Sequence, residues 1–305
     1  MAKNSFMHTM KRFIFLLCAL HIALGAAELY THLVVLGDPH IPEKKLERKE
    51  AVLNTLNQWK DVDAVVAIGD LCSQTATSEE YAMVKEYFSK LKHPLYPIMG
   101  NHDFIYQDAL DENGKLKHAP IEIQQQKRET FQKLFALPKH YYSLIKEPYL
   151  LIFLSTDTQN YLAGLSEEQL KWFTNELQTY PKKPTIVFFH APLNNTLETY
   201  KHWVNTPSFV AQPIEKIKTI LQNNPQIFLW VSGHTHTPAS EPSFASAINV
   251  YENHVTNIHN TDMNKETIWT NSLFLYTDKV VVKTYNHTTS SWETPLERSF
   301  FVPKF

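Results

Sequence analysis

Seven side chains of metal-ligand type are spread along the chain: Asp38, His40, Asp70, Asn101, His190, His234 and His236. Each offers an oxygen or an imidazole nitrogen as a donor. Taken singly, each has an ordinary structural explanation. As a set they do not, because five short segments between residues 37 and 236 each place a donor where an apolar run stops. Of the seven glycines in the chain, four (Gly37, Gly69, Gly100 and Gly233) directly precede one of these residues. Glycine there lets the backbone turn tightly and approach a bound group. The chemistry within reach of such a set is that of a protein-held metal centre.

The runs that carry these donors read as buried strands. Leu33–Leu36, Ala64–Ile68, Leu95–Met99, Tyr149–Leu154, Thr185–Phe189 and Ile227–Val231 are short and rich in Val, Ile, Leu and Phe, as strands covered on both faces are. Helical periods lie between them. Leu46, Val52, Leu53, Leu56 and Trp59 suit one helix; Tyr81, Val84, Phe88 and Leu91 suit a second, with Ser78 as its cap. Ser166 and Gln169 form a capping box ahead of Leu170, Phe173 and Leu177, and Ile214, Ile217 and Leu221 mark a fourth helix. Alternation of strand and helix predicts an α/β domain whose ligands gather beyond the carboxyl ends of the strands. After His236 the pattern changes: Leu273–Tyr276 and Val280–Tyr285 predict a hairpin turning at Asp278-Lys279, as a second sheet or an edge addition. The polar stretch 252–265 predicts a loop, and His254, Asn257 and His259 are expected to be solvated within it.

The segments Gly37-Asp38-Pro39-His40, Gly69-Asp70, Gly100-Asn101-His102-Asp103, His190 and Gly233-His234-Thr235-His236 resemble, in order, the five motifs of the calcineurin-like metallophosphoesterases. The resemblance implies a double-sheet α/β sandwich flanked by helices in α-β-β-α layers, and a two-metal centre that hydrolyses phosphate esters. Carried over by position, Asp38, His40 and His236 would bind one metal. Asn101, His190 and His234 would bind the other, and Asp70 would bridge them. Mixed imidazole and carboxylate ligation suits Mn, Fe, Zn or Ni better than Mg or Ca. Two such ions about 4 Å apart clamp the attacking and leaving oxygens and supply hydroxide from a bound water near neutral pH. His102 is the general acid that the resemblance implies. Asp103 either orients it or serves the turn.

Two departures narrow the resemblance. Purple acid phosphatases carry a tyrosine three residues after the bridging aspartate, where this chain has Ser73. Serine/threonine protein phosphatases continue with an acidic-Arg-Gly run, where this chain has Leu71-Cys72-Ser73-Gln74. The motifs look most like the branch containing class III cyclic nucleotide phosphodiesterases and exported phosphohydrolases. Alternatives at this stage are a non-catalytic scaffold of the same fold, a lipid-headgroup phosphodiesterase or a nucleotidase. The segment Phe104–Lys139 and the loops at 191–213 and 239–268 are expected to shape the cleft for a small phosphate ester. Cys72 reads as a small buried residue and Asp157 as a loop cap.

Formal net charge is −2, from 29 basic and 31 acidic residues, which gives no electrostatic ground for nucleic-acid binding. At the N-terminus, Lys3, Lys11 and Arg12 precede the apolar run Phe13–Leu24 and the small residues Gly25, Ala26 and Ala27. This predicts a signal peptide over 1–27 and an exported, periplasmic or secreted single domain over 28–305, with no stable membrane anchor. Removal of the signal would leave Cys72 alone, without an intrachain disulfide.

Overall fold

The computed structural model describes residues 29–43 and 45–304. The expected signal peptide therefore lies outside the described residues, among which no helix is long and apolar enough to cross a membrane. The elements from Thr31 onward form two sheets. The first has the order β12 (Ser291–Trp292), β11 (Lys279–Asn286), β10 (Trp269–Leu275), β1 (Thr31–Leu36), β2 (Ala64–Ile68), β3 (Leu95–Ile98), with β13 (Arg298–Phe301) also on β11; the second has the order β4 (Tyr142–Lys146), β5 (Tyr149–Phe153), β6 (Thr185–Phe188), β7 (Ile227–Ser232), β9 (Val255–His259), β8 (Val250–Tyr251).

In the first sheet, β1 (Thr31–Leu36), β2 (Ala64–Ile68) and β3 (Leu95–Ile98) run parallel. In the second, β5 (Tyr149–Phe153), β6 (Thr185–Phe188), β7 (Ile227–Ser232) and β9 (Val255–His259) run parallel, while β4 (Tyr142–Lys146) and β8 (Val250–Tyr251) close the edges antiparallel. Strand alternation sends successive side chains to opposite faces, and both faces are buried. Leu33 and Val35 of β1 pack between the sheets against Leu151, Phe188 and Val231. Val34 and Leu36 point the other way, under α1 (Leu46–Leu56), α2 (Ser78–Ser89) and α3 (Ile121–Leu134). On the far face, Leu150, Val187 and Trp230 pack under α4 (Glu167–Thr179) and α5 (Ile214–Asn223). The result is the four-layer α-β-β-α sandwich.

Several local readings change. Helix α2 is capped by Thr77, whose side chain accepts from Glu80 N, and Ser78 is its first helical residue. Ser166 caps α4 by accepting from Gln169 N, but the Gln169 side chain does not return the bond; it pairs with the backbone of Ser155 instead. Trp59 lies beyond the end of α1 and joins an aromatic cluster with Tyr285 and Trp292. Helix α3 was not legible, because among its buried residues Gln124 and Lys127 outnumber Phe131.

The hairpin forms as β10 (Trp269–Leu275) and β11 (Lys279–Asn286), extending the first sheet beside β1. Its turn falls one residue earlier than the sequence suggested, because Tyr276 N donates to Lys279 O at 2.9 Å. Beyond it, β12 (Ser291–Trp292) and β13 (Arg298–Phe301) both pair with β11.

The largest correction concerns 252–265. Its middle is strand β9, paired parallel to β7. Asn257 and His259 are buried there rather than solvated. Asn257 accepts from Leu193 N and donates to Ser232 Oγ, both at 2.8 Å, and His259 Nε2 bonds Thr196 O at 3.0 Å. A strand whose polar side chains tie crossing loops carries no apolar signature.

Candidate metal centre

The parallel strands end together, and the seven donors lie just past those ends. Asp38 and His40 follow β1, Asp70 follows β2, Asn101 follows β3, His190 follows β6, and His234 and His236 follow β7. Backbone bonds lash these loops to one another. His40 N donates to Asp70 O at 2.9 Å, and Gly233 N donates to His190 O at 2.8 Å. Asp38, His40, Asp70, His234 and His236 all have positive φ, between 41° and 66°. That region is strained for residues with a Cβ, and its concentration here marks geometry held for function. Gly69 has φ +92°, and a Cβ on it would lie 2.5 Å from His190 Nδ1. A Cβ on Gly233 would lie 2.4 Å from Asp38 Oδ2.

Two donor groups converge, Asp38-His40-Asp70-His236 and Asp70-His190-His234, with donor atoms in each within 4.8 Å of one another. Asp70 belongs to both. His40 Nε2 lies 3.3 Å from His236 Nε2, which lies 3.8 Å from Asp38 Oδ1. His190 Nε2 lies 3.3 Å from Asp70 Oδ2 and 3.2 Å from Asn101 Oδ1. The structure thus brings all seven residues together.

The surroundings aim these donors. His190 Nδ1 bonds Ile68 O at 3.0 Å and His234 Nε2 bonds Ser208 O at 2.9 Å. A carbonyl only accepts, so each bond places a proton on that nitrogen and leaves the other to face the centre. Asn101 Nδ2 donates to Tyr106 OH at 3.2 Å, which turns its Oδ1 toward His190. Asp38 accepts from His234 N through both oxygens, at 3.1 and 3.0 Å, and Asp70 Oδ1 accepts from His102 N at 2.9 Å.

Electrostatically the donor set calls for cations. Burial, with repulsion from Asp70 and Asp262 against the opposing pull of His190, holds the Asp38 carboxyl well above the usual range. Burial also opposes ionisation of Asp70, but His190, His102 and His40 together hold it well below the usual range. Burial depresses His40 and His234 to about 3, so both imidazoles are neutral, as metal ligation requires. His190 goes the other way: burial disfavours its charge, yet Asp70 and Asp38 raise it to about 9. Crowded carboxylates, neutral imidazoles and one proton shared at the Asp70–His190 pair fit a pair of cations on the donor chemistry alone.

His102 stands beside the donors, half-buried, with Nδ1 2.7 Å from Gln74 O. Asp103 does not touch the His102 ring. Its carboxylate accepts from Cys72 N and Gly100 N, both at 2.8 Å, and its carbonyl accepts from Tyr81 OH. Of the two readings offered by the sequence, Asp103 takes the turn role, and Gln74 O orients His102. Burial, with repulsion from Asp70, raises Asp103 to about 7. Cys72 is buried, and burial with nearby Asp103 pushes its thiol well up. Ser73 Oγ turns to Glu80 Oε1 at 2.6 Å, away from the donors. Asp157 accepts from Ser166 N and Oγ as a loop cap. Asp262, unnoticed in the sequence, places Oδ2 3.3 Å from His236 Nδ1. It sits in a polar, aperiodic stretch, and no motif flagged it.

A cleft of about 450 Å³ opens over the centre. Its outer walls are Tyr106, Leu162, Lys201, Trp203, Phe209 and Lys265. Of the three segments expected to shape it, 104–139 contributes Tyr106, the 191–213 loop contributes Lys201, Trp203 and Phe209, and 239–268 contributes Lys265.

Known proteins resemble this chain in sequence or in fold. The probable glycerophosphodiester phosphodiesterase GpdQ of Arcobacter nitrofigilis is 27% identical over 172 residues, 52% of this chain and 56% of its own length. The chain thus spans little more than half of that curated relative. A dimetal phosphatase from Danio rerio superposes with a TM-score of 0.60 at 13% identity, over 90% of this chain and 99% of its own. The purple acid phosphatase PPD1 from yellow lupin (Lupinus luteus) seeds superposes with a TM-score of 0.59 at 15% identity, over 90% of this chain and 54% of its own. At such identities the superpositions speak to the fold alone. The sequence profile described as calcineurin-like phosphoesterase, however, matches residues 31–238, well over half the chain and every donor segment, and the chain belongs to that family.

Proposed function

We propose that the protein is an exported, dinuclear-metal phosphoester hydrolase that acts on phosphodiesters. The observation that carries the reading is the convergence of two donor groups on a shared Asp70 beneath an open cleft. Asp38, His40 and His236 would hold one cation, Asn101, His190 and His234 would hold the other, and Asp70 would serve both. When bound, the pair (Mn, Fe, Zn or Ni) supplies Lewis-acid activation of water and of the ester.

The remaining roles fall to protein groups. The Gln74 carbonyl requires a proton on His102 Nδ1, so Nε2 is the nitrogen that exchanges protons. As imidazolium, His102 donates from Nε2 to the departing alkoxide and becomes neutral, and Gln74 O holds the remaining ring proton at Nδ1. Tyr106 OH keeps the Asn101 amide from turning over. The diester preference draws on the likeness to the glycerophosphodiester phosphodiesterase, and export draws on the apolar run Phe13–Leu24. The complete ligand set and the presence of His102 speak against a non-catalytic scaffold.

The test is turnover of bis(p-nitrophenyl) phosphate and p-nitrophenyl phosphate by metal-reconstituted protein and by Asp70→Asn. Faster turnover of the diester, abolished in the variant together with tight metal binding, supports the reading. Full turnover by Asp70→Asn overturns the mechanism, and strong preference for the monoester overturns the diester assignment. Cell fractionation tests export; retention of full-length chain in the cytoplasm overturns it.

A further inference from the structure

The loop between β6 and α5 is anchored onto the centre it overhangs. Ser208 O accepts from His234 Nε2 and Tyr200 OH donates to Thr237 Oγ1 at 2.9 Å, while Asn205 Nδ2 braces the loop internally by donating to Leu197 O at 2.8 Å. From the same loop a row of rings leads away from His234. The Phe209 ring stacks on His234 at 4.9 Å with an interplanar angle of 22°. Trp203 follows Phe209 at 6.3 Å and 41°. Lys201 Nζ then lies 4.9 Å from the Trp203 ring centroid. All three residues line the cleft, with Leu162 and Tyr106 also on its walls and Lys265 as a second ammonium at its mouth.

We propose that Phe209, Trp203 and Lys201 form a substrate subsite that receives a flat aromatic arm of the phosphoester. The inference rests on the reading of the centre given above and names the substrate class. A polyol arm would need converging hydrogen-bonding groups, whereas this wall offers ring faces and the Leu162 hydrocarbon. Ring faces favour other rings in offset or edge-on contact and also accept ammonium groups. Lys201 and Lys265, both exposed, add attraction for an anionic ester. The consequence is a preference for aryl-bearing over glycerol-bearing esters, in contrast to what the relative's name would suggest.

The experiment measures dissociation constants of phenylphosphonate and methylphosphonate by calorimetry on the metal-loaded, full-length protein, its Trp203→Ala variant and its Trp203→Phe variant. Wild type binds phenylphosphonate about tenfold more tightly, as one ring stacked on another gains. Trp203→Ala brings the two ligands to parity, and Trp203→Phe restores most of the preference. Methylphosphonate, too short to reach the row, reports whether the centre of each variant is intact. Equal binding of the two ligands by wild type, or an unchanged preference in Trp203→Ala, overturns the proposal. Binding and turnover separate the two claims. Preference without hydrolysis removes the catalytic reading and keeps the subsite, and hydrolysis without preference removes the subsite alone.

Discussion

Asp262 Oδ2 lies 3.3 Å from His236 Nδ1, while His236 Nε2 faces His40 Nε2, also at 3.3 Å. The imidazole is held between a buried carboxylate at one nitrogen and the donor cluster at the other. Such a carboxylate fixes the tautomer and raises the basicity of the ligating nitrogen. Asp262→Asn should therefore lower affinity for the cation shared by Asp38, His40 and His236 by about 10- to 100-fold. Metal titration followed by calorimetry reads this directly, and unchanged affinity would reduce Asp262 to a loop residue.

His102 should separate from the donors in its effect. Its backbone N–H reaches Asp70, whereas its ring bonds Gln74 O and no donor residue among the described residues. His102→Ala should lower kcat by about 10²–10⁴ while leaving metal content at the wild-type level. Loss of both metals would instead make it a structural member of the centre.

Asp103 should behave in the opposite way. Its side chain is fully buried and accepts from two backbone donors that belong to different loops. Asp103→Ala leaves both N–H groups bare, at a cost of about 1–3 kcal/mol for each. Chemical denaturation should show that loss, with kcat of the remaining folded protein much less affected than in His102→Ala. A stable variant with wild-type denaturation and depressed kcat would return Asp103 to a role in the chemistry.

The metal-free protein should lose stability as pH rises from about 7.5 toward 9. His190 rises from 6.5 in the unfolded chain to about 9 on folding, with Asp70 and Asp38 outweighing burial. The folded state therefore binds more protons across that window, and stability falls with increasing pH. Asp38 and Asp103, also raised, act in the same direction. His40 and His234, depressed to about 3, oppose it near pH 6.5, where their unfolded imidazoles are half protonated, and cease to do so by about pH 7.5. Urea midpoints of chelator-treated protein should decline over this range, and His190→Gln should flatten the decline. A rising midpoint would contradict the assigned proton at the Asp70–His190 pair.

How legible each feature is in the sequence depends on how strongly it constrains its residues. Strands buried on both faces must be apolar throughout, so β1, β2, β5, β6 and β7 stood out, and the donors at their ends came with them. Helix α3 and strand β9 hid because their buried faces are polar. Lys127 on α3 donates to Tyr106 O at 2.7 Å, and Asn257 on β9 accepts from Leu193 N. Such satisfied polar groups look in sequence like solvated loop. Asp262 hid for the same reason, in the turn between β9 and β10. The ring row of the cleft wall was invisible for another: Lys201, Trp203 and Phe209 gain meaning only through a loop whose path no local pattern dictates.

The donors are all supplied by residue 236, yet the two sheets are completed by strands beyond that point. Strand β9 flanks β7, and β10 flanks β1. A fragment ending at residue 238 would keep every donor segment and expose the backbone along β7 and β1, each an apolar strand at the rim of its sheet. Bare rims of that kind recruit other chains. Such a fragment would be expected to aggregate before it could hold an ion, so the smallest unit able to hold this centre is larger than the stretch that supplies its ligands.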